Sequence, residues 1–303
     1  MSDPKPLPLW DRQAQRLTQE FMTDAPSTYE SRPHRSLMNV LQSHPAYDWL
    51  LSAYQNTGLS ARKIKPFIEK HKIDMSEFEP GPYPTYAAFF ERAFRPGVRP
   101  FPTDPGIMGA FAEARYFAWE KVQPGQQFPI KGHSLNAEHL LGNADRARPF
   151  ERGPVILARL SPVDYHHLHY PDDGKTIEHH RLGNRLWTVN ANALRNEPDI
   201  LFRNERKAQI LETKNFGRFG FVEIGALSVG RVAQTHPLDL PFKRGGEKSI
   251  FRFGGSAVVL FGEPGAWRPS RDILQKTSEG VETFVRLGDK IARRLDERKG
   301  QGQ

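Results

Sequence analysis

The chain has 303 residues, a formal net charge of +8 and no cysteine, which excludes disulfides, thiolate catalysis and cysteine–zinc sites. Hydrophobic residues make up 38% and charged residues 26%, the balance of a globular protein with chain enough for one large or two modest domains. Basic excess points to an acidic substrate, an anionic membrane surface or nucleic acid. The sequence holds no zinc-finger spacing, RNP-like aromatic motif or dense basic tract with interleaved aromatics, so nucleic acid is not expected.

The opening Met1-Ser2-Asp3-Pro4-Lys5-Pro6 lacks the apolar core of a signal peptide, and no run reaches the roughly eighteen apolar residues of a membrane span. Residues 1–100 read as a helical N-terminal region. Trp10, Ala14, Leu17 and Phe21 have helical spacing over 10–22, and 36–54 and 60–71 continue that character. Thr85–Arg92 reads as a short aromatic helix closed by Arg95-Pro96-Gly97. From 101 to 262, short apolar runs lie between Gly, Pro and Asn turns. Strands are expected at Pro154–Leu160, Phe219–Ile224, Ala226–Val232 and Ala257–Phe261, a β-rich core without regular βαβ units. Residues 270–298 read as one helix with Ser270 at its N-cap and an apolar stripe through Val281, Phe284, Gly288, Ile291 and Leu295. The fold class expected is therefore α+β: a helical N-terminal region, a β-rich catalytic core over 101–303 and a C-terminal helix.

Two stretches carry chemistry. In Phe253-Gly254-Gly255-Ser256 a serine follows two permissive glycines and precedes a strand. Its hydroxyl can attack the Gly255 carbonyl, giving an ester by an N→O acyl shift. Elimination and hydrolysis then leave a pyruvoyl group at position 256 and release ammonia. The second stretch, Asp164-Tyr165-His166-His167-Leu168-His169, supplies imidazoles. No carboxylate pair at metal-ligand spacing accompanies them and no HExxH helix exists, so no metal is expected.

The segment Ser161-Pro162-Val163-Asp164-Tyr165-His166-His167-Leu168-His169, continued by Asp173-Gly174, resembles the signature of the phosphatidylserine decarboxylases. Further stretches resemble that family in the same order: Phe89-Phe90-Glu91-Arg92 with Arg99-Pro100, Ile130-Lys131-Gly132, Asn204-Glu205-Arg206, Val222-Glu223-Ile224-Gly225-Ala226, Lys243-Arg244-Gly245-Gly246-Glu247 and Phe251-Arg252-Phe253-Gly254-Gly255-Ser256. The resemblance implies a self-processing decarboxylase, cut between Gly255 and Ser256, whose cofactor is a pyruvoyl group generated from Ser256. It implies that Ser256 and His169 belong to the cleavage triad and that His166 serves the decarboxylation step. The third triad member departs from the pattern. Where the family has Pro-Ala-Asp-Gly, this chain reads Phe111-Ala112-Glu113-Ala114, so Glu113 stands in for aspartate. A glutamate also accepts a hydrogen bond and stabilises imidazolium.

The ketone of such a group condenses with a substrate amine and withdraws electrons as CO2 departs. The resemblance implies phosphatidylserine as substrate and phosphatidylethanolamine as product. Alternatives from the same sequence are decarboxylation of a free amino acid, aromatic ones included, or an unprocessed pseudoenzyme that binds lipid or a partner. The basic C-terminal residues Arg286, Lys290, Arg293, Arg294, Arg298 and Lys299 suggest an interfacial face on the expected helix. The expected partners are an anionic phospholipid or amino-acid substrate, a membrane surface and a second copy of the chain. The expected location is cytoplasmic, or peripheral on the cytoplasmic membrane face.

Overall fold

A computed structural model of the chain describes residues 8–19, 45–121, 137–183, 200–225, 232–252 and 256–295. Strands dominate these residues: β1 (Pro8–Asp11), β2 (Arg16–Gln19), β3 (Ile107–Gly109), β4 (Ala114–Trp119), β5 (Val155–Leu160), β6 (His167–His169), β7 (Gly174–Leu182) and β8 (Arg206–Thr213). They continue with β9 (Arg218–Ile224), β10 (Val232–Gln234), β11 (Glu247–Phe251), β12 (Ser256–Gly262), β13 (Trp267–Pro269), β14 (Glu282–Val285) and β15 (Lys290–Arg294). Nine strands form one sheet in the order β2-β1-β14-β4-β5-β12-β9-β8-β7. Within it β1 and β14 run parallel, and the other neighbours are antiparallel. Two smaller antiparallel sheets, β10-β11-β6 and β13-β15-β3, pack beside it.

The central strands explain the layering. β5 and β12 are almost continuously apolar, the pattern of a strand covered on both faces, and every described side chain in them is buried. Alternate residues go to opposite faces. Ile156, Ala158, Val258 and Leu260 pack with Leu168, Phe251, Trp267, Ile273 and Ile291 from the small sheets and the helix Arg271–Ser278. Val155, Leu157, Val259 and Phe261 pack instead with Leu140, Leu141, Phe150 and Leu201 from short helical segments. Each such fully buried aliphatic or aromatic side chain contributes about 1.5–3 kcal/mol. At the far end of this strand pair, Gly153 passes so close to Gly262 that a Cβ there would overlap the Gly262 carbonyl.

The mixed α+β class holds, and the β-rich core is where the apolar runs put it. Helices at Pro45–Gln55, Ile64–His71 and Tyr86–Phe90 also fall within the expected segments. Thr85 caps the last of these by accepting from Ala88 N at 3.1 Å. Of the expected strand Ala226–Val232, residues 226–231 lie outside the described residues, and β10 begins at Val232.

Two expected helices are corrected. Over the described part of 10–22 the chain is a hairpin, β1–β2. Asp11 Oδ1 accepts from Gln13 N at 2.9 Å and Ala14 N at 3.0 Å, closing a turn where a helix would have to continue. Leu17, counted in the helical stripe, is exposed, and β1 gains a parallel partner in β14 that lies over 270 residues downstream. The C-terminal helix likewise spans only Arg271–Ser278. Gly280, at φ +71°, ends it: its N–H reaches Thr277 O at 3.0 Å and Val281 N reaches Lys276 O at 2.9 Å, the bond pattern of a glycine-terminated helix. Ser270 stands at the N-cap position without a side-chain cap bond. Beyond Gly280 the chain forms β14 and β15, so Lys290, Arg293 and Arg294 lie on a strand and form no amphipathic helical face.

The hairpin is fastened by Arg12, whose Nε and Nη2 meet the two oxygens of Asp272 at 2.7 and 3.0 Å while Nη1 donates to Lys290 O at 2.7 Å. Arg12→Ala should therefore cost about 1 kcal/mol, because Asp272 is partly solvated. In a double-mutant cycle with Asp272→Ala, urea unfolding should show non-additivity of similar size. Independent effects would mean that the hairpin does not sit on this edge.

Candidate active site

The histidine segment leaves β5 through a tight turn. Ser161 O accepts from Asp164 N at 2.9 Å, and Asp164 Oδ2 accepts from Ser161 N at 2.6 Å. The same carboxylate pairs with Arg115 from β4. Arg92, buried between Phe78 and Phe89, donates to Val163 O at 2.7 Å and Asp164 O at 3.2 Å. Burial draws its pKa down to about 10 against the nearby Asp164. These contacts fix the direction in which the next five residues leave.

His166 is wholly buried and stacks on Phe90 with centroids 3.8 Å apart and planes at 23°. Its Nε2 donates to Ser161 O at 3.1 Å, so Nδ1 keeps the lone pair. That nitrogen has no hydrogen-bond partner among the described residues. Burial, then the charge of Arg92, hold the His166 pKa well below the ordinary imidazole value.

His167 faces an acceptor at each nitrogen: Glu247 Oε2 at 2.6 Å from Nδ1 and Glu91 O at 3.0 Å from Nε2. Its ring lies flat on Tyr165, centroids 4.6 Å apart and planes at 7°. His169 differs. Nδ1 lies 2.8 Å from Gly245 O, to which only an N–H can donate, and the Tyr165 hydroxyl lies 3.2 Å from Nε2. This partner set assigns the proton to Nδ1 and the lone pair to Nε2. Burial lowers the His169 pKa, opposed by the Gly245 carbonyl and the Glu247 charge.

Glu113 is buried just before β4, in the segment whose Phe111 carbonyl accepts from His169 N at 2.9 Å. Its carboxylate is held by Arg99, with Nε–Oε2 at 2.6 Å and Nη2–Oε1 at 3.1 Å, and by Leu287 N at 3.3 Å. Arg99 also grips Glu77 at 2.7 and 3.0 Å. No direct Glu113–His169 hydrogen bond joins the described residues. The Tyr165 hydroxyl sits at His169, and burial first, then the charges of Glu247 and Glu113, raise its pKa.

Gly255 and Gly254 lie outside the described residues. The backbone of Ser256 opens β12, opposite Leu160 and so next to Ser161, whose carbonyl holds His166. Upstream, β11 pairs with β6 so that Glu247 lies opposite His169 and Ile250 opposite His167. Phe251 N donates to His166 O at 2.9 Å. Both flanks of Gly254-Gly255-Ser256 are thus bonded to the histidine segment or its immediate neighbours. The described contacts tie position 256 to His166 by way of Leu160 and Ser161, while His169 lies three residues further along, opposite Glu247, and Glu113 is held by Arg99.

Tyr165, Glu247 and Arg99 received no role from the sequence, although all three lie inside stretches that carried the resemblance. The signal was present as residue identity, and its meaning required partners across two sheets. Among the described residues no group of His, Asp and Glu is arranged to hold a metal, and no helix is long and apolar enough to cross a membrane.

The profile of the family described as phosphatidylserine decarboxylase matches residues 86–293. The chain is 33% identical over 263 residues to a phosphatidylserine decarboxylase proenzyme of Ruminiclostridium cellulolyticum, covering 86% of this chain and 88% of that one. It is 31% identical over 271 residues to a protein of the same name from Clostridium perfringens, with 87% and 90% covered. A Clostridium novyi protein of that name is also 31% identical, over 269 residues, with 88% and 91% covered.

The two depressed histidines give the fold a pH dependence of definite sign. An unfolded chain binds a proton at each imidazole near pH 6.5, whereas folded His166 and His169 resist it. Stability should fall as pH drops below about 6.5, by up to ~1.4 kcal/mol per pH unit for each histidine. Urea unfolding of a Ser256→Ala chain at pH 7, 6 and 5 reads this slope. His166→Gln should make the slope shallower, and an unchanged slope would show that His166 accepts a proton in the folded protein.

Proposed function

The chain belongs to the phosphatidylserine decarboxylase family, and from that premise we propose that it cuts itself before Ser256 and then converts phosphatidylserine to phosphatidylethanolamine with release of CO2. The observation that carries this reading is the anchoring of the two flanks of Gly254-Gly255-Ser256, the upstream one to the segment that holds His166 and His169 and the downstream one to β5, which leads into that segment.

In the proposed processing step Ser256 gives its hydroxyl proton to His169 as its oxygen attacks the Gly255 carbonyl. His169 suits this task because its Nδ1–H is engaged and Nε2 holds the lone pair. Tyr165 donates to that nitrogen in the uncut chain, so the tyrosine hydroxyl must turn aside as the serine approaches. Glu113 supports the base at one remove, through the field that it casts on Tyr165 and through the Arg99 clamp. The catalytic unit in this proposal is 101–303, and the cut divides the 303-residue chain into pieces of 255 and 48 residues.

The residues present fit a pyruvoyl group at position 256. The backbone there opens a strand whose following residues are apolar and buried, and the buried Nδ1 of His166, held by the neighbouring Ser161 carbonyl through Nε2, has no partner among the described residues. When formed, that group supplies the electron sink for loss of CO2. His166 would hold and return the proton. A proton taken at Nδ1 is poorly retained, because burial disfavours the cation, and a weakly held proton is readily handed to carbon.

We also propose that the enzyme meets its lipid at a membrane surface through the region around helix Pro45–Gln55. Leu50, Tyr54 and Leu59 are exposed there beside Arg62, Lys63 and Lys65. Apolar side chains backed by cations suit an anionic interface, at about 1 kcal/mol per basic residue near the surface.

Natural chain made in a cell-free system should resolve into two pieces with a blocked N-terminus on the shorter one, and Ser256→Ala should remain whole. His169→Ala should stop cleavage. His166→Ala should still cut yet decarboxylate at least ~100-fold more slowly. Glu113→Ala should slow cleavage in the folded fraction. Normal cutting and full activity in both histidine variants would remove this assignment.

Flotation with vesicles tests the surface. Binding should require anionic lipid, weaken as salt is raised, and drop in Leu50→Ser/Leu59→Ser. Equal binding to neutral vesicles and by the double variant would move the contact elsewhere.

A further inference from the structure

A histidine works as a base only while one nitrogen is fixed as donor and the other presents its lone pair. Carboxylates commonly do the fixing. Here Glu113, the carboxylate that the family pattern offers for that task, is taken up by Arg99, Glu247 is engaged by His167, and the group that meets His169 Nδ1 is the carbonyl of Gly245 at 2.8 Å.

That carbonyl belongs to a tight turn, Lys243–Gly246, closed by Gly246 N to Lys243 O at 2.9 Å. Gly245 stands at its third position with φ +76°, the left-handed conformation that such a turn demands. A Cβ there would be strained and would meet Phe101 at 3.1 Å. The turn is pinned to the end of the histidine segment by Gly245 N to Tyr170 O at 2.8 Å and Tyr170 N to Gly246 O at 2.9 Å.

Arg244 holds the turn from the other side. Its backbone N–H donates to Asp173 Oδ1 at 3.0 Å. Its guanidinium donates to Asp172 Oδ1 at 2.7 Å, Asp104 O at 2.8 Å and Pro102 O at 3.0 Å. Asp172 is fully buried and is itself fixed by Asn215, from N at 2.7 Å and from Nδ2 at 2.8 Å. Two separated stretches, 102–105 and 172–173, therefore converge on the residue that precedes the carbonyl, and Asn215 braces the second.

We propose that the Gly245 carbonyl is the orienting acceptor of His169, and that Arg244 and Asp172 are positioning residues that hold it there. The proposal rests on the reading of His169 as the processing base. Removing Arg244 frees the turn. Nδ1–H then loses its fixed acceptor, and the ring populates the other tautomer, whose lone pair points away from the Tyr165 side.

The test reads the tautomer apart from the cutting. Nitrogen-15 spectra of the imidazoles are recorded on full chain carrying Ser256→Ala, with His169 assigned by its absence in His169→Gln. His169 should be protonated at Nδ1 in this parent and shift to a mixture of tautomers in Arg244→Met and in Asp172→Ala. In chains that retain Ser256, the same two variants should cut at least tenfold more slowly while their unfolding temperature stays measurable. Should Arg244→Met fail to fold, Arg244→Gln keeps part of the donor set and gives the same readout. A His169 protonated at Nε2 in the parent overturns the proposal, as does an unchanged tautomer with unchanged cutting in the folded variants. A tautomer that shifts as stated, in a protein whose natural chain never cuts, would uphold the positioning and instead remove the processing reading.

Discussion

The arrangement of this protein depends on one crossing of the chain from sheet to sheet. β11 belongs to a small sheet and pairs with β6, while β12 belongs to the large sheet and pairs with β5. Residues 252–255 link them. β5 and β6 are in turn joined by the turn that Asp164 closes. The two linkers therefore run between the same pair of sheets, one carrying Gly254-Gly255-Ser256 and the other leading into the histidines. Backbone pairing alone brings these distant stretches together, before any side chain is considered.

Much of this was legible in sequence wherever burial imposes a pattern. β5, β9 and β12 are apolar because both of their faces are covered, and the short runs declared themselves. The hairpin β1–β2 and the strands β14 and β15 did not. Trp10, Ala14 and Leu17 happen to fall at helical spacing, and the competing signals, Asp11 as a turn former and Gly280 as a helix stop, were local and given too little weight. What decides these segments is pairing at long range: β1 lies on β14, and β14 lies on β4. At the site, Ser256, His166 and His169 were visible as motif residues. Tyr165, Glu247 and Gly245 acquire meaning only when β6 and β11 are laid side by side.

The basic composition also reads differently once folded. It pointed to an anionic partner, yet Arg92, Arg115, Arg159 and Arg206 are buried, and Arg99 and Arg244 nearly so in their side chains. Lys248 is wholly enclosed and meets Glu223 at 2.8 Å. Most of these cations tie loops or strands together, through carbonyls as with Arg92 and Arg206 or through carboxylates as with Arg99, Arg115 and Arg159. Burying a cation costs several kcal/mol unless it is well paired, so each is a point where substitution of one partner is costly. Part of the excess charge thus serves internal construction, leaving a smaller share for the exterior.

The placement of β12 and β14 has a consequence for the history of the molecule. β12 lies between β5 and β9, and β14 lies between β1 and β4. A piece beginning at residue 256 is therefore woven into the interior of the sheet at two places, with strands from the other piece on both sides each time. Neither piece contains the whole of the nine-stranded sheet. A molecule severed there is a two-chain protein in which each piece supplies the neighbours of the other's strands. Its endurance then depends on how slowly the woven strands separate.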